Sequence, residues 1–251
     1  MKIVLMGGSG LIGSKLAQRL EASGHEAVVA SRSTGVDVLT GQGLAAVLRG
    51  AEVVVDVTNS PSFEDEAVLH FFRTSGRNLL AAEEEAGVRH HLAVSIVGLD
   101  RLPDSGYLRA KVVQESMVTA STVPFTILRA TQFFEFVGAI VASGTEGDEV
   151  RLPDALLQVV AGDDVADTLA DLALAEPSGG VVELGGPEAL PFVDFAERWM
   201  SNRGDERKVV ADPQARYFGT RLETSSLVPG PQALIGRVRF ADWLRTPAAL
   251  R

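Results

Sequence analysis

The chain has 251 residues, of which 46% are apolar and 22% charged, so it is long enough and apolar enough to bury a substantial core. Its formal net charge of -10 argues against nucleic acid and anionic membranes as partners, because both attract clustered Lys and Arg. Cysteine is absent, which excludes disulfides, thiolate metal ligands and cysteine nucleophiles and fits a reducing compartment.

Short apolar runs alternate with helix-length segments along most of the chain. Six runs rich in β-branched residues predict strands at 2–6, 26–30, 52–57, 91–95, 124–129 and 181–185. A short edge strand at 36–38 would bring the number to about seven. Crossover helices are predicted at 10–22, 64–87 and 107–121. This repeated alternation predicts an α/β fold with a doubly wound parallel sheet.

The first apolar run is too short for the core of a signal peptide, and no later run reaches membrane-spanning length. We therefore expect a cytoplasmic protein with no membrane partner.

The alternation breaks after the fifth predicted strand. Residues 142–154 are rich in glycine and charge, and 212–236 are interrupted by three prolines. We expect 131–165 and 186–251 to form a small irregular lobe that binds substrate, at the sheet edge where open α/β folds place their ligands. The whole of 1–251 is predicted to be a single domain.

The sequence GGSGLIG joins the first predicted strand to the first predicted helix. An early glycine permits a positive φ, Gly10 lets the backbone approach a pyrophosphate, and Gly13 lets the helix pack closely. The N–H groups of residues 10–12 are expected to point outward, where the helix N-terminus favours an anion. The strand-turn-helix context favours a dinucleotide site over a bare structural turn. The residues assigned to it are Gly7, Ser9, Gly10, Leu11, Ile12 and Gly13.

The residues after the second predicted strand discriminate between the two pyridine dinucleotides. An NAD site usually has Asp or Glu here, which accepts bonds from the ribose hydroxyls. This chain has Ser31, Arg32 and Ser33 instead. The guanidinium of Arg32 would bind a 2′-phosphate with help from both serine hydroxyls, which predicts NADP(H) as the cofactor. The alternative interpretation is a solvated surface arginine.

Three further pairs of residues follow predicted strands at the same edge of the sheet. We expect the first two pairs to wall the adenine and the adjoining ribose, namely Asp37 with Val38 and Thr58 with Asn59. The Asp37 carboxylate would accept a bond from the adenine amino group. The alternative for each is a role in capping loops. A last pair is predicted to line the nicotinamide end and the substrate pocket, namely Gln132 and Phe133.

The predicted catalytic residues lie between positions 91 and 115. Ser95 ends a strand, while Tyr107 and Lys111 lie four residues apart and so share one face of a helix. The ammonium of Lys111 would lower the pKa of the Tyr107 phenol toward working pH. The phenol would donate a proton to a developing alkoxide, and the Ser95 hydroxyl would hold the carbonyl oxygen. The alternative is a chance pattern, with the tyrosine half-buried and the lysine solvated.

Two other polar clusters predict structure rather than chemistry. His90 and His91 point to opposite faces of a strand and have no third ligand at motif spacing, so no metal site is expected. Residues Glu83, Glu84 and Glu85 are expected to form a solvated helix face.

The sequence resembles the atypical branch of the short-chain dehydrogenase/reductase superfamily, which includes NmrA-like and nucleoside-diphosphate-sugar-epimerase-like proteins. The resemblance rests on GGSGLIG (7–13), SRS (31–33), VSIVG (94–98), YLRAK (107–111), FTILRATQFFEF (125–136) and DDVADTLADLAL (163–174). It implies a Rossmann fold and matches Ser95, Tyr107 and Lys111 to the active site of the superfamily. Asn78 lies in a segment that carries an asparagine near the site in relatives, and no role is carried over to it.

Together these features predict an NADPH-dependent oxidoreductase that reduces a carbonyl or quinone-like group on a small, hydrophobic molecule by hydride transfer. Two alternatives stay open. One is a non-catalytic NADP(H)-binding redox sensor, because some members of the resembling branch bind the cofactor without turnover. The other is a nucleotide-sugar epimerase or dehydratase. The expected state is a monomer or a homodimer.

Overall fold

The computed structural model describes residues 1–250, which form twelve strands, eight α-helices and four short 3-10 helices. The strands are β1 (Lys2–Met6), β2 (Glu26–Ala30), β3 (Val53–Asp56), β4 (His90–Ile96), β5 (Phe125–Ala130), β6 (Thr145–Glu146), β7 (Glu149–Pro153), β8 (Leu156–Leu157), β9 (Val181–Gly185), β10 (Leu190–Pro191), β11 (Lys208–Asp212) and β12 (Leu234–Ile235). The α-helices are α1 (Leu11–Ala22), α2 (Leu44–Leu48), α3 (Asp65–Ala86), α4 (Gly106–Ala120), α5 (Val137–Ser143), α6 (Gly162–Leu174), α7 (Phe192–Ser201) and α8 (Phe240–Trp243). The 3-10 helices are Arg32–Thr34, Leu99–Arg101, Phe134–Phe136 and Pro247–Leu250.

Seven strands form one sheet in the order β12-β9-β5-β4-β3-β1-β2. Strand β1 pairs in parallel with both β2 and β3, and β3 pairs in parallel with β4. The chain builds the sheet first to one side of β1 and then to the other, so the topological switch point lies between β1 and β3. The predicted doubly wound parallel α/β fold is confirmed.

The prediction of an edge strand at 36–38 is wrong, because these residues form no strand and the seventh strand is β12 instead. The reason lies in Asp37, whose carboxylate accepts the N–H groups of Leu39 at 2.8 Å and Thr40 at 3.4 Å. These bonds turn the chain, so the segment does not extend along β2.

The described residues divide into two compact units. The first comprises Met1–Ser95, Gly106–Arg129 and Val165–Val182, and the second comprises Ile96–Ser105, Ala130–Asp164 and the residues from Glu183 onward. In the first unit, β3 is buried along its whole length and β1 from Ile3 onward, which explains the apolar runs Ile3–Met6 and Val53–Val55.

The second unit is more regular than the predicted irregular lobe. Strands β11, β7 and β6 form a three-stranded sheet, and β8 pairs antiparallel with β10. Helix α7 buries Phe192, Phe195 and Met200 on one face, and Phe195 meets the ring of Phe240 edge-on at 5.3 Å. Short strands and a strongly amphipathic helix therefore give this unit its own core.

The expectation of a solvated face at residues 83–85 is wrong for its first member. The Glu83 side chain is fully buried, and both of its carboxylate oxygens lie 2.9 Å from Nδ1 of His91. Burial raises the pKa of Glu83. Burial alone would lower the pKa of His91, but the charge and hydrogen bond of Glu83 outweigh it and raise that pKa. Glu84 and Glu85 are exposed as expected.

No helix within residues 1–250 is both long and apolar enough to cross a membrane.

Candidate functional site

The glycine turn between β1 and α1 is built from backbone that touches backbone. Gly7 has a φ of +78°, and a Cβ at this position would lie 2.9 Å from the carbonyl oxygen of Val57. A Cβ on Gly13 would lie 2.4 Å from Cα of Gly8, so the first turn of the helix rests on bare main chain. Any larger residue at either position would push the helix N-terminus away from the sheet.

The N–H groups of residues 10–12 are expected to point outward at the start of α1, and Gly10 is the exception. The Gly10 N–H donates to the carbonyl of Gly7 at 3.0 Å and closes the turn. Leu11 and Ile12 belong to the first helical turn, whose N–H groups have no acceptor within their own helix. Ser9 is exposed beside them. This end of α1 therefore has the donor arrangement that suits a phosphate.

Arg32 lies on a 3-10 turn directly after β2. Its side chain is exposed and makes no ion pair or side-chain hydrogen bond within residues 1–250. The hydroxyls of Ser31 and Ser33 lie 2.8 Å apart, and Thr34 Oγ1 accepts the amide of Ser31 at 2.9 Å. An unpaired guanidinium whose residue lies between two serines in the sequence offers the groups that bind a phosphate monoester.

The loop after this turn is held by a residue to which no role was assigned from the sequence. Asn78 on α3 donates its side-chain amide to the carbonyls of Val38 at 3.0 Å and Leu39 at 2.9 Å. One carboxylate oxygen of Asp37 accepts the two N–H groups of the turn described above. The other oxygen is left for the predicted bond to an adenine amino group. Asn78 thus holds, from α3, the loop that contains the predicted adenine contact Asp37.

The segment after β3 lies between the glycine turn and α4. At one end, Val57 is the residue that a Cβ on Gly7 would strike. Thr58 follows, and both its amide and its hydroxyl donate to Oδ1 of Asp56, at 2.9 and 2.6 Å. At the other end, Oδ1 of Asn59 accepts the hydroxyl of Tyr107 at 2.9 Å.

Tyr107 is half-buried on the first turn of α4 between two aromatic rings. Its ring centroid lies 5.3 Å from that of Phe63, which is 64% exposed, and 6.0 Å from that of Phe72, which is fully buried. Burial raises the pKa of Tyr107 to about 12, so the phenol is protonated at neutral pH.

Lys111 is buried, so the alternative of a solvated lysine is wrong. Its Nζ donates to the carbonyl oxygen of Val94 at 2.7 Å and to the side-chain oxygen of Gln114. Nζ also lies 4.7 Å from the ring centroid of Phe72. Burial lowers the pKa of Lys111 to about 8, against the opposing effect of nearby carboxylates.

The expected lowering of the Tyr107 pKa by Lys111 does not occur in this structure. The pKa of Tyr107 follows its burial, because the Lys111 ammonium is directed to Val94 and Gln114.

Ser95 lies near the end of β4, and its side chain is 3% exposed. Its hydroxyl has no hydrogen-bond partner within residues 1–250. A buried hydroxyl without a partner costs free energy unless something else binds to it, which makes Ser95 a candidate contact for a ligand.

The two predicted substrate residues lie in the second unit, after β5. Gln132 is buried, and its side-chain oxygen has no partner among the described residues. Phe133 is half-buried and forms a bridge to Val160. Of the two aromatics that follow, Phe134 is in the core against Phe240, whereas Phe136 is only half-buried.

Sequence reasoning missed three polar residues in this region: Asp56, Asn78 and Gln114. Asp56 ends a run of valines, so a carboxylate directly before the predicted loop was a signal that could have been read. Gln114 lies three residues after Lys111 and belongs to no motif. The described residues include no group of three His, Asp or Glu side chains able to hold a metal ion.

Comparison with known proteins gives one family match. The model of a family described as NAD(P)H-binding matches residues 7–176. No curated protein sequence matches the chain significantly.

Several solved structures share the fold over nearly the whole chain. The UDP-glucose 4-epimerase of Thermotoga maritima, solved with UDP-glucose, gives a TM-score of 0.78 at 16% identity and covers 99% of this chain and 97% of its own. MoeE5, in complex with UDP-glucose and NAD, gives 0.73 at 18% identity and covers 99% and 97%. TunA, an NAD-dependent NDP-hexosamine 5,6-dehydratase, gives 0.71 at 19% identity and covers 97% and 95%. At these identities the likeness concerns the fold.

Proposed function

The chain belongs to the NAD(P)H-binding family, in agreement with the resemblance found in its sequence, and from that premise we propose that it is an NADPH-dependent oxidoreductase of the atypical short-chain type. Its substrate is a small, apolar molecule with a carbonyl or quinone-like group. The segment 57–59 carries the proposal, because it touches the glycine turn at Gly7 and accepts the Tyr107 hydroxyl at Asn59. The glycine turn and the Tyr107 hydroxyl are therefore both close to one short stretch of chain, which supports a common site.

The residues present fit the cofactor. The backbone cradle at Gly7 and Gly13 leaves no room for a Cβ, and the first amides of α1 suit a diphosphate. Arg32, exposed and unpaired among the described residues, fits the 2′-phosphate that distinguishes NADP(H) from NAD(H). NADPH, when bound, supplies a hydride.

Tyr107 is the proton donor in this proposal. With a pKa of about 12 the phenol carries its proton throughout the neutral range, as reduction requires. The carbonyl carbon gains the hydride, the carbonyl oxygen gains the phenolic proton, and the tyrosinate is reprotonated from solvent. Asn59 accepts the same hydroxyl at 2.9 Å and so fixes the direction of the O–H bond until a substrate oxygen replaces it.

Lys111 and Ser95 stabilise charge in this scheme. The Lys111 ammonium is held on the same helix one turn after Tyr107, where a positive charge favours the alkoxide that forms. The unpartnered hydroxyl of Ser95 would donate a hydrogen bond to the carbonyl oxygen.

Turnover is tested by following NADPH oxidation against a panel of aldehydes, ketones and quinones. We expect at least one quinone or aromatic ketone to be reduced, and Tyr107→Phe to lower kcat by about 10²- to 10⁴-fold while NADPH still binds. Tyr217→Phe is the matched control, since these are the two tyrosines of the chain. Equal rates for wild type and Tyr107→Phe would contradict the proposal. NADPH binding without any turnover would favour the redox sensor instead.

A nucleotide-sugar enzyme is the second candidate, because the structures with the same fold include enzymes solved with UDP-glucose. Calorimetric titration with UDP-glucose separates the two. Binding of UDP-glucose together with NADP(H) or NAD(H) would favour an epimerase or dehydratase, and the oxidoreductase proposal expects no binding.

A further inference from the structure

Three buried polar side chains form a continuous chain of hydrogen bonds from β3 to α4. Asp56, Gln114 and Lys111 are 4%, 3% and 3% exposed. The side-chain amide of Gln114 donates to Oδ2 of Asp56 at 2.9 Å, and its oxygen accepts a hydrogen bond from Nζ of Lys111. An amide that donates at one end and accepts at the other thus joins a carboxylate to an ammonium.

The Asp56 carboxylate serves two structures at once. Its second oxygen, Oδ1, accepts both the amide and the hydroxyl of Thr58, so one carboxylate links the loop after β3 to α4. Buried charges are costly to keep, and each side-chain nitrogen and oxygen of this group makes at least one hydrogen bond. A fold that needed only a core at this place would have apolar side chains here.

The hydrogen bonds of this group fix the orientation of the Lys111 ammonium. An ammonium has three protons, and two are used by Val94 and Gln114. With two donors fixed, the third proton has a defined direction and no hydrogen-bond acceptor within residues 1–250.

We propose that Asp56 and Gln114 are positioning residues that fix the Lys111 ammonium and couple it to the cofactor loop at Thr58. This inference rests on the proposed function, in which Lys111 stabilises the charge that forms during reduction and Thr58 contacts the cofactor. Neither positioning residue itself touches the substrate.

The four lysines of the chain, at positions 2, 15, 111 and 208, make the state of Lys111 directly measurable. Protein labelled with ¹³C at lysine Cε gives one resonance for each, and Lys111→Met assigns the relevant one. Titration without nucleotide then gives the pKa of Lys111 in wild type and variants, independently of any activity.

The decisive variant is Gln114→Leu. It removes the acceptor of the ammonium, so we expect the pKa of Lys111 to fall by about 1 unit or more. The Kd for NADPH, measured by fluorescence, should rise about 2- to 10-fold, because the link to Thr58 is lost with one hydrogen bond. Gln158→Leu is the matched control, since it also removes a buried glutamine, one that bonds to Gly186, and should change neither quantity.

Gln114→Glu separates the contact with Lys111 from the contact with Asp56. The new carboxylate accepts from Lys111 and restores its pKa to the wild-type value or above, but it cannot donate to Asp56, so the weaker NADPH binding remains. If Gln114→Leu does not fold, as judged by circular dichroism, Asp56→Asn replaces it, because loss of the negative charge also lowers the Lys111 pKa.

An unchanged Lys111 pKa in Gln114→Leu, or a change equalled by Gln158→Leu, overturns the positioning role even if the enzyme reduces carbonyls. A shifted pKa with NADPH affinity unchanged overturns the coupling to Thr58. Absence of NADPH binding and turnover in wild type instead contradicts the proposed function, and the titration reports that case separately.

Discussion

Two of the buried charged groups in the first unit differ in what they connect. The Glu83–His91 pair joins α3 to β4, and both carboxylate oxygens face the same imidazole nitrogen. The Asp56–Gln114–Lys111 network reaches from the loop residue Thr58 to the main chain of Val94 near the end of β4. The pair links one helix to one strand, whereas the network also includes a loop residue, Thr58. Nε2 of His91 has no hydrogen-bond partner within residues 1–250. We therefore assign the network, and not the pair, to the proposed site.

Loss of the Glu83–His91 pair should give the largest effect, and the effect should be on folding. Glu83→Ala leaves His91 buried without its partner, so we expect unfolding free energy to fall by about 3–5 kcal/mol. Urea denaturation measures it, with Glu85→Ala on the exposed side of the same helix as the control, expected within about 0.5 kcal/mol of wild type. A small loss in both variants would remove the contrast between the two charged groups.

Replacement of Lys111 should affect catalysis more than folding. Lys111→Met keeps the length of the side chain but leaves Gln114 and Val94 without their buried donor, so unfolding free energy should fall by about 1–3 kcal/mol. We expect kcat to fall by about 10²- to 10³-fold, as for the loss of one group that stabilises developing charge. Paired urea and turnover measurements check this, and destabilisation like that of Glu83→Ala, with full activity, would assign Lys111 to structure.

Arg32→Ala tests the choice of cofactor. Loss of a charged partner for the 2′-phosphate should raise the Kd for NADPH by about 10- to 100-fold and leave that for NADH nearly unchanged. Arg49→Ala, another exposed arginine, is the control. Equal effects of Arg32→Ala on both nucleotides would leave Arg32 as a surface arginine.

The pH dependence should show the smallest of these effects. The pKa of Lys111 is lowered to about 8, so the ammonium is present below that pH and lost above it, while Tyr107, at about 12, stays protonated. Reduction should be constant below pH 8 and fall about tenfold for each further unit. The residual activity of Lys111→Arg should not decrease above pH 8, because the guanidinium keeps its charge. The same decrease in Lys111→Arg would assign the titration to another group.

The main sheet could be predicted because its strands are apolar on both faces and its helices carry apolar stripes. The two-residue strand β12 could not, since two residues carry no periodicity. The run of three glutamates predicts a solvated face, which is wrong for Glu83. Its spacing of four from the buried Leu79 placed it on the core face.

Part of the candidate site could be predicted because its residues belong to local sequence patterns. Tyr107 and Lys111 belong to a spacing with a chemical meaning, and the glycine turn belongs to a motif. Gln114 and Asn78 act through long-range contacts, across 58 and 40 positions of the chain, which no local pattern records.

The most direct measurement is a fluorescence titration of the wild-type protein with NADPH and, separately, with NADH. We predict saturable binding of NADPH at one site per chain and markedly weaker binding of NADH. Absence of binding by both nucleotides would contradict the central claim that the glycine turn and the segment 57–59 form a pyridine nucleotide site, and equal affinities would contradict the role of Arg32.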